Sequence, residues 1–409
     1  MPFLTWPSKQ LADPEPAALI KDSVIYPGGL GYPEAVPESR LILGDNLPIM
    51  ASLMPEFEGS INLIYADPPF FTNRRYSSRI GRGQDSRKPE KWALGDGYQD
   101  SWANFDAYLD FLYQRLAGMY RLLAPNGTLF LHLDWHANSY ARILLDEIFG
   151  PDHLLNEIIW TYHGPSPIRR AFNRKHDTIL AYVKGRDYIF NVDAVREPYN
   201  PSTVQTFNAS PKAGFGKIPN LERGKVPEDW WYFPVVARLH NQRTGYPTQK
   251  PESLLERIIL ASSRPGDFIA DFFCGSGTTP AVSARLGRRF IASDNTFRAV
   301  HTTRTRLSSL PIQAFTLERQ STFCFPLVES PKIELGIQPG SVHINGRLDL
   351  DYWEVDPAWD GKIFKSAAQA QRPIRKGELS RDIKIKTGPN MCVRLITVKG
   401  KMLQKELNV

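Results

Sequence analysis

The segment Asp267–Asp294, DFIADFFCGSGTTPAVSARLGRRFIASD, decides the fold. It has the pattern of a strand, a glycine turn, a helix and a second strand that ends in an acid. A glycine turn between a strand and a helix lets a ligand approach the backbone and leaves free N–H groups at the helix start. Asp294 stands at the end of the second strand, where an acid can accept hydrogen bonds from a ribose. The segment therefore predicts a nucleoside-binding unit in an α/β sheet.

The glycine turn differs from the two common phosphate-binding patterns. Gly275-Ser276-Gly277 lacks the third glycine of the dinucleotide fingerprint, and no lysine follows it as in a phosphate-binding loop. A ligand with adenosine but without phosphates fits better, and S-adenosylmethionine is such a ligand. A purely structural turn of a doubly wound sheet is the alternative interpretation.

A second motif follows the apolar run Ile61–Ala66, which is typical of a strand buried on both faces. The run ends in Asp67-Pro68-Pro69-Phe70, at the carboxyl edge where open α/β sheets bind ligands. The two prolines fix the backbone, and the carbonyl of Pro68 is free to accept a hydrogen bond. An aromatic amino group is a poor nucleophile because its lone pair is delocalised into the ring. Asp67 and the Pro68 carbonyl could accept hydrogen bonds from its two N–H groups and point the nitrogen lone pair at an incoming methyl group. Phe70 could stack on the aromatic ring that carries the amino group.

Alternating apolar runs and amphipathic helices predict a seven-stranded, mostly parallel, doubly wound sheet. We expect an N-terminal arm over residues 1–35, a catalytic domain over 36–310 and a small β-rich C-terminal domain over 311–409. Within the catalytic domain, regular periodicity fades over residues 160–245, which we interpret as a loop-rich insertion.

The net charge of +7 is concentrated near the two motifs. Residues 161–250 contain 14 Lys and Arg against seven Asp and Glu, and residues 71–91 contain seven against two. Such blocks favour contact with a polyanion, although solvated surface is the alternative. The side chains expected to contact the phosphates of such a polyanion lie on the 74–91 loop and in the insertion: Arg74, Arg75, Arg169, Arg170, Arg174 and Lys175.

Other features of the chain exclude several classes of protein. No apolar run approaches the roughly 20 residues of a membrane helix, and the first residues lack a signal-peptide pattern, so we expect a cytoplasmic protein with no membrane partner. Three isolated cysteines fit neither a disulfide framework nor a zinc knuckle. His132, Asp134 and His136 alternate as metal ligands can, but methyl transfer from a sulfonium needs no metal. We expect no metal and assign these three residues to the floor of the site.

Taken together, these motifs resemble the β-class amino-methyltransferases of restriction–modification systems, most of all the adenine-specific Mod-type members. The order is the permuted one of that class: catalytic tetrapeptide, target-recognition region, then glycine motif. The resemblance thus implies that the insertion over residues 160–245 is a target-recognition insertion. Further segments carry the resemblance over residues 40–310: LILGDNL at 41–47, LHLDWH at 131–136, RTGYPTQKP at 243–251 and DFFCGSGTT at 271–279. The last departs mildly from the family's DPFAGSGTT, because Phe272 replaces proline and Cys274 replaces alanine.

The resemblance implies roles for individual residues. Asp67, Pro68, Pro69 and Phe70 would be catalytic. The residues implied around S-adenosylmethionine are Asp45, Thr248, Gln249, Lys250, Asp271, Phe273, Gly275, Gly277, Thr278 and Asp294. Lys250 would lie beside the cofactor's carboxylate, and Asp294 would hold the ribose.

We therefore expect a site-specific methyltransferase that acts on double-stranded DNA and methylates a flipped base at adenine N6. Cytosine N4 is the first alternative, since the family correlates Asp with adenine and Ser with cytosine only imperfectly. An RNA or protein methyltransferase and a non-catalytic DNA-binding subunit are the others. Protein-glutamine enzymes usually begin the tetrapeptide with Asn, and a non-catalytic subunit would have lost the glycines or the acid. The resemblance is also compatible with a homodimer and a restriction subunit, which the sequence alone does not establish.

Overall fold

The computed structural model describes residues 3–80, 93–165, 168–210, 219–237, 240–328, 334–346, 349–373 and 378–408. Its α-helices within these ranges are α1 Asn46–Phe57, α2 Phe105–Leu122, α3 Asn138–Phe149, α4 Pro201–Ala209, α5 Glu252–Ser262, α6 Thr278–Arg285 and α7 Phe297–Ser308. Its strands are β1 Leu19–Ile25, β2 Ser39–Leu43, β3 Ile61–Ala66, β4 Arg74–Ile80, β5 Ala93–Asp100, β6 Leu123–Leu133, β7 Leu154–Thr161, β8 His176–Val183, β9 Trp230–Tyr232, β10 Phe268–Asp271, β11 Arg289–Asp294, β12 Phe315–Gln320, β13 Glu334–Gln338, β14 Ser341–Asn345, β15 Leu350–Asp356, β16 Phe364–Ser366, β17 Ala368–Gln371, β18 Asp382–Lys384, β19 Asn390–Thr397 and β20 Met402–Asn408. None of the helices in these ranges is both long and apolar enough to cross a membrane.

The main sheet has the strand order β16-β1-β12-β2-β11-β10-β3-β6-β8-β7-β9. The run from β12 to β6 is parallel throughout, whereas β8 pairs with β6 in the antiparallel sense. Alternate residues of one strand enter different cores: Ile64 packs with α1, α2 and α3, while Leu63 and Tyr65 pack with α5 and α6. This two-sided burial confirms the mostly parallel, doubly wound fold.

The expected number of seven strands is too small, because the sheet in the described residues has eleven. Strands β12 to β8 form a central set of seven. Strands β16 and β1 extend it at one edge, and β7 and β9 extend it at the other. Strand β1, which lies between the edge strand β16 and β12, belongs to the Pro- and Gly-rich start of the chain, where its short run LIKDSVI gives little periodicity. Strand β9 is only three residues long.

The predicted domain boundaries at residues 35 and 310 remain predictions, and both flanking segments contribute to the main sheet. Strand β1 comes from the expected N-terminal arm and pairs with β12, which comes from the expected C-terminal part. The rest of the C-terminal part is β-rich, as expected. It contains the antiparallel sheets β17-β15-β19-β20 and β13-β14-β18, which share a hydrophobic core around Trp353.

Helix α7 joins the main sheet to these C-terminal strands through buried charged groups. Arg304 donates to Glu354 Oε1 at 3.3 Å and to His301 Nδ1 at 3.0 Å. The other ring nitrogen of His301, Nε2, lies 3.1 Å from Asp351 Oδ2. Because Arg304 occupies Nδ1 as a donor, the neutral ring carries its proton on Nε2 and donates it to Asp351. Burial, together with the neighbouring arginines, lowers the pKa of His301 to about 4 even though Asp351 opposes this shift.

Candidate active site

The two motifs meet at one edge of the sheet because they follow neighbouring parallel strands. Ile269 and Ala270 of β10 pair with Leu63 and Ile64 of β3. Their carboxyl ends therefore deliver the glycine turn and the tetrapeptide to the same cleft, a cavity of about 970 Å³. All four residues Asp67, Pro68, Pro69 and Phe70 line this cavity. So do nine of the ten residues that the resemblance places at the cofactor: Asp45, Thr248, Gln249, Lys250, Asp271, Phe273, Gly275, Thr278 and Asp294.

The two oxygens of Asp67 have different surroundings. Oδ2 accepts a short hydrogen bond from Lys250 Nζ, and this ammonium also lies 5.5 Å from the centroid of the Phe70 ring. Oδ1 is buried and has no hydrogen-bond partner among the described residues. A buried carboxylate oxygen without a donor is costly unless a ligand supplies one. The unpartnered oxygen is thus available to an N–H group that enters the cleft.

Lys250 lies within the cleft, where its ammonium contacts Asp67. Its implied role beside the carboxylate of the cofactor remains a prediction. Its backbone carbonyl accepts from Thr278 Oγ1 at 3.1 Å, which fixes the lysine next to the glycine turn. Lys250 consequently bridges the two motifs.

The backbone after the tetrapeptide is held by Asp100, the last residue of β5. Asp100 is buried, and its carboxylate accepts five hydrogen bonds. The donors are Phe70 N, Phe71 N, Thr72 N, Thr72 Oγ1 and Trp102 Nε1, at 2.7 to 3.1 Å. This clamp supports a strained turn, since Phe71 and Asn73 adopt φ values of 65° and 55°. The sequence analysis missed Asp100, because this single acid belongs to no recognisable motif.

The floor beneath Phe70 is a buried chain of hydrogen bonds. The His132 ring stacks on Phe70 with its centroid 6.0 Å away. Its Nδ1 lies 2.8 Å from the Tyr65 hydroxyl and its Nε2 lies 3.1 Å from Asp177 Oδ2. Burial acts to raise the pKa of Asp177, but the hydrogen bond and charge of His132, with the charge of Lys250, lower it overall.

The three alternating residues of the LHLDWH segment do not converge. His132 points to Tyr65 and Asp177, as described, whereas Asp134 and His136 pair with each other at 2.8 Å. Burial is the main cause that raises the pKa of Asp134. Asp134 lines the cleft, so two of the three residues contribute to the site rather than to one shared ligand set.

Three further carboxylates line the cleft. Asp294 accepts from Gly275 N at 3.1 Å and from Thr296 N and Oγ1 at 3.0 Å, and burial raises its pKa. Asp271 is fully buried, and burial, with the nearby charges of Asp67 and Asp294, raises its pKa to about 7. Asp45 caps α1 through Leu47 N and accepts from Arg115 Nη2 at 2.8 Å. A cavity lined by these carboxylates favours a cationic ligand.

The two glycines of the turn have different tasks. Gly275 lines the cleft with φ of 48°, and a Cβ there would lie 3.1 Å from the Tyr246 ring. Gly277 is the one expected cofactor residue outside the lining of the described cleft. It has φ of 73° at the start of α6, and a Cβ would lie 2.6 Å from Thr303 Oγ1. Gly277 is therefore required by the turn and by close packing against α7.

The remaining predicted residues surround the cleft. Thr248 has φ of 53° and lies 3.3 Å from the Tyr98 hydroxyl, and Gln249 Oε1 accepts from Thr244 N at 2.9 Å. Both hold the segment that leads to Lys250.

The side chains expected to contact DNA occupy two positions near the cleft. Arg74 and Arg75 lie on β4, which pairs with β5 in a ribbon, so this part of the expected 74–91 loop is a strand; residues 81–91 lie outside the described residues. Arg75 lines the cleft. The other four side chains, Arg169, Arg170, Arg174 and Lys175, lie on the connection between β7 and β8.

Comparison with known proteins agrees with this geometry. The family model for N6/N4 methyltransferases, described as DNA methylase, matches residues 61–303, which include the tetrapeptide and the glycine turn. This range is more than half of the 409 residues, and the chain belongs to the DNA methylase family.

Two relatives are 30% identical to the chain. The type II methyltransferase M.HpaI of Haemophilus parainfluenzae aligns over 273 residues, 66% of this chain and 75% of the relative. The DNA adenine methyltransferase YhdJ of Escherichia coli K12 aligns over 257 residues, 61% of this chain and 76% of the relative.

Solved structures match at lower identity. TTHA0409 of Thermus thermophilus, complexed with S-adenosyl-L-methionine, has a TM-score of 0.45 and 21% identity, and the match covers 70% of this chain and 99% of that one. The cytosine-N4-specific PvuII DNA methyltransferase has a TM-score of 0.45 and 17% identity, with 66% and 87% covered.

Proposed function

We propose that this protein transfers a methyl group from S-adenosylmethionine to the N6 amino group of adenine in double-stranded DNA. Membership of the DNA methylase family gives the class of reaction. The observation that carries the proposal is the buried, unpartnered Oδ1 of Asp67 beside the glycine turn, an orphan acceptor among the described residues. An exocyclic amino group is a donor that this acceptor would bind.

The residues of the cleft fit the cofactor. S-adenosylmethionine supplies an electrophilic methyl group on a positively charged sulfonium. The carboxylates of Asp271 and Asp294 would stabilise this charge, and the absence of a Cβ at Gly275 leaves room for the ligand beside the Tyr246 ring. Asp294 would also accept from the ribose, and Phe273 would provide an apolar contact.

The chain's own residues would activate the amino group. Asp67 Oδ1 would accept one N–H bond and the Pro68 carbonyl the other, which favours a more tetrahedral nitrogen whose lone pair points at the methyl group. Lys250 would hold Asp67 in place through Oδ2. Phe70 would stack on the base, supported from below by His132. As the new N–C bond forms, the C–S bond of the methyl group would break, and its electron pair would leave with the sulfur as a neutral thioether. The nitrogen would release one proton, and Asp67 is the base in contact with it.

Adenine is proposed over cytosine on two grounds. The tetrapeptide begins with Asp67, where cytosine-N4 enzymes more often have serine, and the relative YhdJ is described as an adenine methyltransferase. The relative M.HpaI is described as a type II methyltransferase, which supports action at a specific sequence. A restriction partner, a homodimer and a cytoplasmic location remain predictions.

The test is chemical identification of the product. Unmethylated genomic DNA is incubated with the enzyme and methyl-labelled cofactor, digested to nucleosides and separated by mass spectrometry, with an equal mass of RNA as competitor in a parallel reaction. We expect N6-methyladenine from DNA. N4-methylcytosine would establish the cytosine alternative, and label confined to RNA or absent from both polymers would overturn the proposal.

A further inference from the structure

The connection between β7 and β8 lies at the rim of the cleft. Trp160 of β7 and Asp177 of β8 line the cavity, as does Tyr162 just after β7. The chain leaves the sheet after Thr161 and returns at His176, so this connection begins and ends at the edge where the base would enter.

Several hydrogen bonds and a ring contact fix the described part of this connection. Tyr162 N donates to Lys175 O at 3.0 Å, and Lys175 Nζ donates to Pro165 O at 2.5 Å. Ile168 N donates to Asn173 Oδ1 at 3.1 Å. The Arg174 guanidinium lies 4.1 Å from the Trp135 ring centroid, and Trp135 adjoins the cleft-lining Asp134. These contacts hold the connection at the rim of the cleft, both next to the sheet, through Tyr162 and Lys175, and through the contact of Arg174 with Trp135.

Phe172 stands within this fixed connection and is 99% exposed. Its neighbours Arg169, Arg170 and Arg174 are exposed as well. A fully exposed phenyl ring among cations has no role in packing the fold. The same combination suits a nucleic acid, because the guanidinium groups can contact phosphates while the ring enters the base stack.

Methylation of a base in a duplex requires the base to leave the stack, which leaves a gap between its neighbours. We propose that Phe172 is a wedge that enters the DNA at the target site and fills this gap, while Arg169, Arg170 and Arg174 hold the adjacent phosphates. This inference rests on the proposed function, since it concerns the same DNA and the same cleft. The partner it specifies is stacked, base-paired DNA rather than a single strand.

The test compares the full-length enzyme with Phe172→Ala on three oligonucleotides that share one methylation site identified by mapping. In the first, the target base is paired; in the second it is mismatched; in the third it lies opposite an abasic position. Phe172→Leu, which keeps an apolar wedge, serves as the conservative variant. Phe3→Ala serves as the matched control, because Phe3 is also exposed, at 67%, and does not line the cleft.

We expect Phe172→Ala to slow single-turnover methylation of the paired duplex by about 10- to 100-fold, because unstacking a paired base is the step the wedge assists. On the mismatched and abasic duplexes its rate should lie within about threefold of wild type, because those bases leave the stack at little cost. Phe172→Leu should keep most of the rate on all three, and 2-aminopurine at the target should brighten less with Phe172→Ala than with wild type.

If Phe172→Ala lost methylation rate equally on all three duplexes, or lost none on the paired one, the proposal that Phe172 is a wedge would be overturned. Failure of the proposed function is distinguishable from this outcome, since the wild-type enzyme would then either methylate none of the three duplexes or form N4-methylcytosine in them.

Discussion

Replacing Asp100 with asparagine removes one of the two oxygens that hold the backbone after the catalytic tetrapeptide. In the wild type, Oδ2 accepts from Phe70 N, Thr72 N and Thr72 Oγ1, and Oδ1 accepts from Phe71 N and Trp102 Nε1. An amide can present its oxygen to only one of these two groups of donors. Its NH₂ group then faces the other group, donor against donor.

The smaller loss arises when the NH₂ group replaces Oδ1, which breaks two hydrogen bonds. A hydrogen bond to a charged group contributes about 1.5 to 3 kcal/mol, so the backbone of this turn loses at least about 3 kcal/mol of support. Phe71 has φ of 65° and relaxes most readily when this support is gone. If the whole of this loss appeared in the transition state, the methylation rate would fall by about 100-fold or slightly more.

The assay measures single-turnover methylation of duplex DNA beside calorimetric titration of the cofactor. We expect Asp100→Asn to lower the rate by about 100-fold while cofactor affinity stays within about threefold, because Asp100 contacts the catalytic turn and not the glycine turn. Asp152→Asn is the matched control, since Asp152 is exposed and does not line the cleft. A variant rate within about threefold of wild type, or a parallel loss of cofactor affinity, would refute this reasoning.

Three further predictions concern the buried groups around the cleft and α7. A histidine whose pKa is lowered from 6.5 to about 4 favours the fold above pH 6.5, and this stability is lost as the pH falls towards 4. The free energy of unfolding of the wild type, measured with urea, should therefore fall by up to about 2 kcal/mol between about pH 7.5 and 5. His301→Gln should abolish this fall, and a variant with the pH dependence of the wild type would contradict the prediction. Because the pKa of Asp271 is raised to about 7, binding of the cationic cofactor should release a proton and become tighter as the pH rises through this value. Calorimetry in buffers of different ionisation enthalpy measures that proton release. Asp271→Asn should remove the release, and a binding enthalpy of the wild type that does not depend on the buffer would disprove it. Gly277→Ala should lower the free energy of unfolding by about 2 to 3 kcal/mol, since its φ of 73° and the nearby Thr303 side chain both disfavour a Cβ; no change in the urea midpoint would count against this.

The parts of the fold that were predictable from the sequence are those with local and regular patterns. Strand β3 has the predicted bounds Ile61–Ala66, because its apolar run is buried on both faces and ends at a proline pair. Because the carboxyl ends of parallel strands lie at the same edge of a sheet, the sequence also predicted that Asp67 and Gly275 share one cleft. The outer strands β1 and β9 were not predicted, since their pairing depends on distant segments rather than on their own periodicity.

Within the site, only the residues that belong to recognisable motifs were predictable from the sequence. The position of Lys250 on Asp67 depends on how the segment after the insertion folds back over the sheet, which spacing does not specify. Asp100 was missed for a similar reason, because its five donors are 2 to 30 residues away and most become neighbours only through the β4–β5 ribbon. Phe172 and its exposure likewise have no signature in the sequence.

The proposed function requires Asp67 to bind the amino group while a separate set of residues binds the cofactor. Single-turnover methylation and cofactor calorimetry on Asp67→Ala test this directly, with Asp67→Ala/Lys250→Met as a companion variant that removes the ammonium Asp67 would leave behind. We predict that both variants lose at least about a thousandfold in methylation rate and bind the cofactor within about tenfold of wild type. Methylation by either variant at close to the wild-type rate would contradict the account.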